Sequence, residues 1–271
     1  MTARSNQETP ASSALPERAA RLVQLKIRRQ DGPDRPETRR WEEFEVAYLP
    51  RMNVISALQQ IQKHPVAANG AKVAPVAWDS ACADDVCGAC TMLINGRVRS
   101  ACAALIDDVA PRKGPITLEP LSKFPVLRDL VVDRSRIFDA LQTVHAWREL
   151  DSALAPIPAQ REAPHRQARR SELSPCTTCG ACLEACPEYS SRSDFLGALA
   201  INQVHLHNEG APGSDTERAR LQAVMGPGGV ADCGKAQNCV EVCPAGIPLV
   251  DSIQEVARAT TKELVVSWLF K

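Results

Sequence analysis

Cys82, Cys87, Cys90 and Cys102 stand in the stretch CADDVCGACTMLINGRVRSAC, spaced C-x4-C-x2-C with a more distant fourth cysteine. Thiolates are soft ligands suited to iron–sulfur chemistry, and this spacing is that of plant-type 2Fe–2S ferredoxins. A rhombic Fe2S2 core needs two thiolates on each iron. A tight loop can bring three of them together, and the fourth arrives on a neighbouring strand. Gly88 and Ala89 are small enough to let backbone N–H groups approach the sulfides. The competing reading is a four-cysteine zinc site, but zinc ribbons favour paired C-x2-C knuckles.

A second group lies in CTTCGACLEACP: Cys176, Cys179, Cys182 and Cys186, followed by Pro187. This is the C-x2-C-x2-C-x3-C-P run of bacterial 4Fe–4S ferredoxins, in which the fourth cysteine of a two-cluster protein ligates the other cluster. A second copy is therefore required. Cys233, Ala236, Cys239, Cys243 and Pro244 supply it, each displaced by the same 57 residues. Reciprocal sharing assigns Cys176, Cys179, Cys182 and Cys243 to a 4Fe–4S site. Cys186, Cys233 and Cys239 then form a site of three, with Ala236 where a fourth thiolate should stand. A cubane corner held by solvent alone is easily lost, so a 3Fe–4S cluster is expected there. The alternatives are a 4Fe–4S cluster with an exchangeable iron, or an empty site. All eleven cysteines are used, as four, four and three. The crossed ligation staples the two runs together, so this part of the chain needs its clusters to fold.

The elements that must position these groups follow from patterning. Val23, Leu25 and Ile27 alternate with polar residues over Arg21–Arg28, predicting a half-buried strand. A second strand is expected over Trp41–Tyr48, with Phe44, Val46 and Tyr48 on one face. Asn53 can cap a short helix carrying Val54, Leu58 and Ile61. Asn95-Gly96 marks a hairpin between Thr91–Ile94 and Arg97–Arg99. PITLE, ending at Glu119, reads as a closing strand. The pattern Asp129–Trp147 is helical, SALAPIPAQREAP (Ser152–Pro164) is a connector, and long helices are expected over Leu196–Asn208 and Pro248–Leu269. The fold class is α+β: residues 1–20 a flexible tail, 21–125 a 2Fe–2S ferredoxin-type domain, and 126–271 a helical two-cluster domain.

Among 271 residues, 44% are hydrophobic and 24% charged, with zero formal net charge. That is globular composition with no global signal for nucleic acid. The basic runs Arg35–Arg40 and Arg161–Arg170 read as solvated loops. No secretory signal stands at the N-terminus, and no stretch approaches the roughly 18 apolar residues of a membrane span. A soluble chain is expected, retained where it is made, with reduced cysteines serving as ligands. His205 and His207 read as surface or packing residues, and the four tryptophans as core or interface.

Together the 2Fe–2S loop, EPLSKFPVLRDLVVD (Glu119–Asp133), CTTCGACLEACP and CGKAQNCVEVCP resemble the iron–sulfur subunit of succinate dehydrogenase and fumarate reductase, from about Leu22 onward. The resemblance implies a β-grasp ferredoxin domain followed by a bacterial-ferredoxin-like domain. It implies a flavoprotein partner with FAD acting on succinate or fumarate, and a cytochrome b membrane anchor, often with haem b, binding quinone. Electrons would pass through the 2Fe–2S, 4Fe–4S and 3Fe–4S centres in that order, at the cytoplasmic face of the cell membrane. No catalytic residue is assigned to this chain. Ubiquinone-using members carry tryptophan soon after the first Cys-Pro and histidine after the first cysteine of the second run. Ser190, Ser191 and Gly234 stand in those places, which is more similar to the menaquinone-linked branch with a di-haem anchor. Quinone, if it approaches, is expected near Pro187, Gly234 and Ala236. Two other readings are a soluble fumarate reductase subunit with a non-quinone donor and a zinc-stabilised interaction module. In KELVVSWLFK, Leu264, Val265, Trp268 and Leu269 either face a partner or pack on the chain's own core.

Overall fold

The computed structural model describes residues 21–147, 163–210 and 215–269. The expected N-terminal tail and most of the 152–164 connector lie outside the described residues. In chain order the strands and helices are β1 (Leu22–Arg29), β2 (Arg40–Ala47), α1 (Val54–Lys63), β3 (Thr91–Ile94), β4 (Arg97–Ser100), α2 (Ile106–Val109), β5 (Ile116–Glu119), β6 (Val126–Arg128), β7 (Val131–Val132), α3 (Ser135–Thr143), α4 (Pro164–Leu173), α5 (Ala181–Ala185), α6 (Gly197–Gly210), α7 (Asp215–Ala223), α8 (Asn238–Glu241) and α9 (Leu249–Leu269).

Alternation builds the first unit. Val23, Leu25 and Ile27 of β1 and Phe44 and Val46 of β2 point inward and are buried. The sheet runs β2-β1-β5-β3-β4, with β5 parallel to β1 and the other pairs antiparallel. A mixed sheet with α1 packed on it is the β-grasp arrangement. PITLE is the last strand of this sheet in the chain, as expected, and it takes the central place between β1 and β3, with Ile116 and Leu118 buried. The Asn95-Gly96 turn has both residues left-handed, at φ 51° and 73°, as a tight hairpin demands.

Asn53 begins α1 as expected. Its Oδ1 accepts from Ser56 N–H at 2.9 Å, and its Nδ2 donates to the Cys102 carbonyl at 2.7 Å. One side chain thus caps the helix and pins the backbone of a candidate ligand. Asn53→Ala is expected to cost about 1 kcal/mol for the cap, read from unfolding midpoints, with weaker retention of iron in the first site.

The Asp129–Trp147 segment departs from expectation. Asp129 is left-handed (φ 48°) in the turn between β6 and β7, and the helix begins only at Ser135. The reason is tertiary. The fully buried Asp129 carboxylate accepts from Arg29 Nε at 2.8 Å, Gln30 N–H at 3.1 Å and Ala77 N–H at 2.8 Å. Arg29, itself buried, also pairs with Glu42 and donates to the Ala74 carbonyl at 2.9 Å. Part of the Arg161–Arg170 run, expected as a loop, is likewise helical: Pro164 stands at the first turn of α4.

The second unit packs around α6, where Ala198, Leu199, Ala200, Ile201 and Val204 are all buried. A helix apolar on most sides belongs inside. Its His205 is buried too, with Nδ1 3.1 Å from Ser252 Oγ and Nε2 3.4 Å from Glu209 Oε1. Burial pushes the imidazole below its ordinary value of 6.5, opposed by Glu209 and Glu255 and assisted by Arg169. The unfolded chain therefore binds the proton first. Stability from this residue is present above about pH 6.5 and is lost as pH falls further. His205→Gln is expected to flatten the fall of the urea midpoint between about pH 7 and pH 5.

Leu264, Val265, Trp268 and Leu269 of α9 are exposed, Trp268 by 77%, so they do not pack on the chain's own core. Among the described residues no helix is long and apolar enough to cross a membrane.

Candidate metal centres

The first thiol loop runs between α1 and β3 and closes on Cys102, just after β4. Its backbone turns inward through left-handed Ala83, Asp85 and Gly88, an arrangement that aims successive N–H groups at one concavity. Asp84, Val86 and Cys87 donate to Cys82 Sγ at 3.3–3.4 Å, Ala89 to Cys87 Sγ at 3.5 Å, Asp85 to Cys102 Sγ at 3.3 Å, and Cys102 to Cys90 Sγ at 3.5 Å. Those donors hold the exposed Cys82 thiol down to about 7, while burial pushes Cys102 up to about 11. All four cysteines share this one network. The N–H donors suit anionic thiolates and sulfides, which they stabilise in the reduced, more negative state.

The two later runs are alike in backbone as well as in sequence. Thr178 and Lys235 are left-handed (φ 54° and 58°), and so are Gly180 and Gln237 (φ 84° and 65°), each pair separated by the same 57 residues. Each run then enters a short helix, α5 or α8, at equivalent positions. Asn238 Nδ2 donates to the Ala185 carbonyl at 3.0 Å, tying the copies together.

Cys176, Cys179, Cys182 and Cys243 line one small cavity walled by Leu199, Ile247 and Leu249, and Ile247 N–H donates to Cys243 Sγ at 3.4 Å. Burial, then the charge of Cys179, pushes the Cys182 thiol far up, and burial raises Cys176 as well. Cys186, Cys233 and Cys239 line a separate cavity of about 220 Å³ with Pro187, Gly234 and Ala236. Burial, then Cys186, raises Cys239. Cys182 lies on α5 and Cys239 on α8, and the Asn238–Ala185 bond joins those helices, so the two cavities are neighbours. Ala236 occupies the place equivalent to Cys179 and is exposed. A larger cleft of about 990 Å³, between β4 and the helices α5 and α8, touches only Cys243 among the cysteines. It is an open groove holding no complete thiol set, so the smaller cavities are the candidate sites.

This donor set fits iron–sulfur cores. All eleven cysteines are free thiols. Among the described residues no three Cys, His, Asp or Glu side chains close around a point as a single ion requires. The raised proton affinity of the buried thiols reflects the cost of a bare thiolate there, which a bound metal core offsets by taking the place of the protons.

Sequence reasoning missed three features. Gly88 lies directly against Cys179, so its small size serves contact between loops as well as access to sulfur. Arg134 donates to two carbonyls of the first loop and to that of Thr91, where β3 begins. Lys123 Nζ donates to the carbonyls of Leu183 (3.5 Å) and Cys186 at the C-terminal end of α5. None belongs to a cysteine motif, and nothing in spacing or periodicity signals them.

A β-grasp unit with one thiol loop, joined to a helical unit with a duplicated thiol run, defines a ferredoxin-type electron carrier. Residues 24–139 match the family of 2Fe-2S iron-sulfur cluster binding domains, and residues 172–247 match the 4Fe-4S dicluster domain. The succinate dehydrogenase iron-sulfur subunit of Bacillus subtilis (strain 168) is 48% identical over 240 residues, covering 89% of this chain and 93% of the relative. The fumarate reductase iron-sulfur subunit of Haemophilus influenzae is 28% identical over 239 residues, covering 83% and 88%. A chain of the Mycobacterium smegmatis Sdh1 complex shares the fold, with a TM-score of 0.73 at 21% identity over 90% of this chain and 97% of that one. The chain belongs to the family of iron–sulfur subunits of succinate dehydrogenase and fumarate reductase, and it is an electron-transfer subunit with 2Fe–2S and 4Fe–4S cluster-binding domains. The zinc-module reading is thereby set aside.

Proposed function

We propose that the chain relays single electrons between a FAD-bearing flavoprotein subunit and quinone at a cytochrome b membrane anchor, as a peripheral subunit on the cytoplasmic face. Iron–sulfur clusters, when bound, supply the one-electron redox capacity. Cys82, Cys87, Cys90 and Cys102 would hold 2Fe–2S. Cys176, Cys179, Cys182 and Cys243 would hold 4Fe–4S, and Cys186, Cys233 and Cys239 would hold 3Fe–4S. The observation that carries this reading is contiguity: Gly88 of the first loop abuts Cys179 of the second site, and α5, which carries Cys182, is bonded through Asn238 to α8, which carries Cys239 of the third.

The cavity that would hold the third cluster opens beside Pro187, Gly234 and Ala236 and has apolar walls in Phe195, Val230 and Ile253, which supports quinone approaching its mouth, outside the cluster. Ser190, Ser191 and Gly234 favour menaquinone and a di-haem b anchor. The exposed Leu264, Val265, Trp268 and Leu269 support a partner-facing end of α9. A domain boundary near residue 125 fits the two cores, although Leu130 packs in the first while Leu121 and Phe124 pack in the second.

The test is low-temperature EPR of the anaerobically purified complex with iron and sulfide analysis. An oxidised 3Fe–4S cluster is paramagnetic, whereas oxidised 2Fe–2S and 4Fe–4S clusters are silent. A signal in the oxidised sample is expected, with further signals on reduction. Silence when oxidised, with iron and sulfide present, overturns the assignment of the third site.

A further inference from the structure

The two thiol loops meet with no room between them. Gly88 has φ +69°, and a Cβ built on it would lie 2.4 Å from Cys179 Cβ, 2.9 Å from Cys179 Cα and 2.9 Å from Thr177 Oγ1. Main chain of the first loop therefore rests on a candidate ligand of the second site. The N–H groups of Asp84, Asp85, Val86, Cys87 and Ala89 go to the first loop's own sulfurs and so do not tie it to the second site.

Arg134 supplies an attachment at the contact itself. Its Nη1 donates to the Gly88 carbonyl at 3.2 Å, and its Nη2 to those of Ala89 at 3.1 Å and Thr91 at 3.3 Å. Among the described residues, the hydrogen bonds of its side chain go to carbonyls of this loop and of the first residue of β3. Arg134 is the residue immediately before α3, whose Ile137 is buried in the second core. A Cβ on Gly180, the neighbour of Cys179, would lie 3.5 Å from Ile137 Cδ1. The side chain gripping Gly88 and the residue on which Gly88 rests are thus anchored to one body.

We propose that Arg134 is a positioning residue for electron transfer between the first and second sites. Its guanidinium holds Gly88 against Cys179 and so sets the separation across which the electron crosses. With both centres filled, one electron would pass from the reduced first to the oxidised second, with no bond or proton changed at Arg134. The fork spans several acceptors in fixed geometry, which an ammonium cannot reproduce. Its charge also favours the more negative, reduced state of the first centre. The inference rests on the ligand sets proposed above.

The experiment compares the intact complex carrying the wild-type chain, Arg134→Met, Arg134→Lys and Gly88→Ala. It reads iron content, microwave power saturation of the reduced 2Fe–2S EPR signal with the 4Fe–4S centre also reduced, and the potential of the first centre. Wild type is expected to show relaxation of the first signal enhanced by its neighbour. Arg134→Met should lose that enhancement several-fold and shift the first potential downward. Arg134→Lys should lose enhancement while keeping a potential near wild type. Gly88→Ala, with Arg134 in place, should lose enhancement because the methyl forces the loops apart. Any of these variants with full iron and wild-type relaxation overturns the proposal. Should Arg134→Met not retain its iron, Arg134→Lys and Gly88→Ala decide by the same readings. Absence of the two signals from wild type defeats the ligand assignment, a different failure from an unaltered variant.

Discussion

An Ala236→Cys variant is expected to lose the EPR signal of the oxidised protein and to gain about one iron per chain, the difference between a three-iron and a four-iron core. Ala236 stands 57 residues after Cys179 in a loop of the same backbone conformation, left-handed on both sides at Lys235 and Gln237. A thiol placed there reaches the same corner that Cys179 reaches in the other copy. At present that corner is exposed and faces a cavity of about 220 Å³ lined by Cys186, Cys233 and Cys239. An iron there would have only solvent as its outer ligand. The added thiolate should also alter the proposed onward transfer from this site, because a four-iron centre generally works at lower potential. Persistence of the oxidised signal in a variant whose cysteine is present and free would refute the missing-ligand argument.

Loss of the Asp129 carboxylate is expected to be the most damaging single change to stability. The group is fully buried and satisfies Arg29 and two backbone N–H groups, those of Gln30 and Ala77. Asp129→Ala leaves a guanidinium that is 1% exposed with Glu42 as its remaining carboxylate, and strands both N–H groups. Breaking a buried pair in this way costs about 3–5 kcal/mol, and an unpaired buried donor adds about 1 kcal/mol or more. At roughly 4 °C per kcal/mol for a unit of this size, the melting temperature should fall by about 12 °C or more. Because Asp129 ties the β6–β7 turn to the end of β1, the 2Fe–2S signal should weaken before the other two. Scanning calorimetry and EPR on the same preparation read both effects. A melting temperature within a few degrees of wild type would show that Glu42 suffices for Arg29.

The cysteine chemistry was legible in the chain because ligand runs are local. Spacing of two to four residues is set by the reach of a loop around a cluster, and the 57-residue repeat needs no structure to be seen. Alternation in β1 and β2, the Asn53 cap and the Asn95-Gly96 turn were equally readable, since each is decided by neighbours within a few residues. What joins distant parts was not. Whether β5 sits at the edge of the sheet or at its centre depends on which strands pair with it, and its own residues read the same in either place. Asp129 looked like the start of a helix, yet its left-handed turn is imposed by Arg29, 100 residues away. The exposure of Leu264, Val265, Trp268 and Leu269 is a statement about what lies beside α9, which periodicity cannot report. The meeting of Gly88 with Cys179 under Arg134 belongs to the same class. The sequence by itself determined that the chain carries 2Fe–2S and 4Fe–4S cluster-binding runs, because coordination is a short-range demand. Only the tertiary structure decided how close those sites come and what holds them there, because proximity is fixed by packing between elements that share no motif.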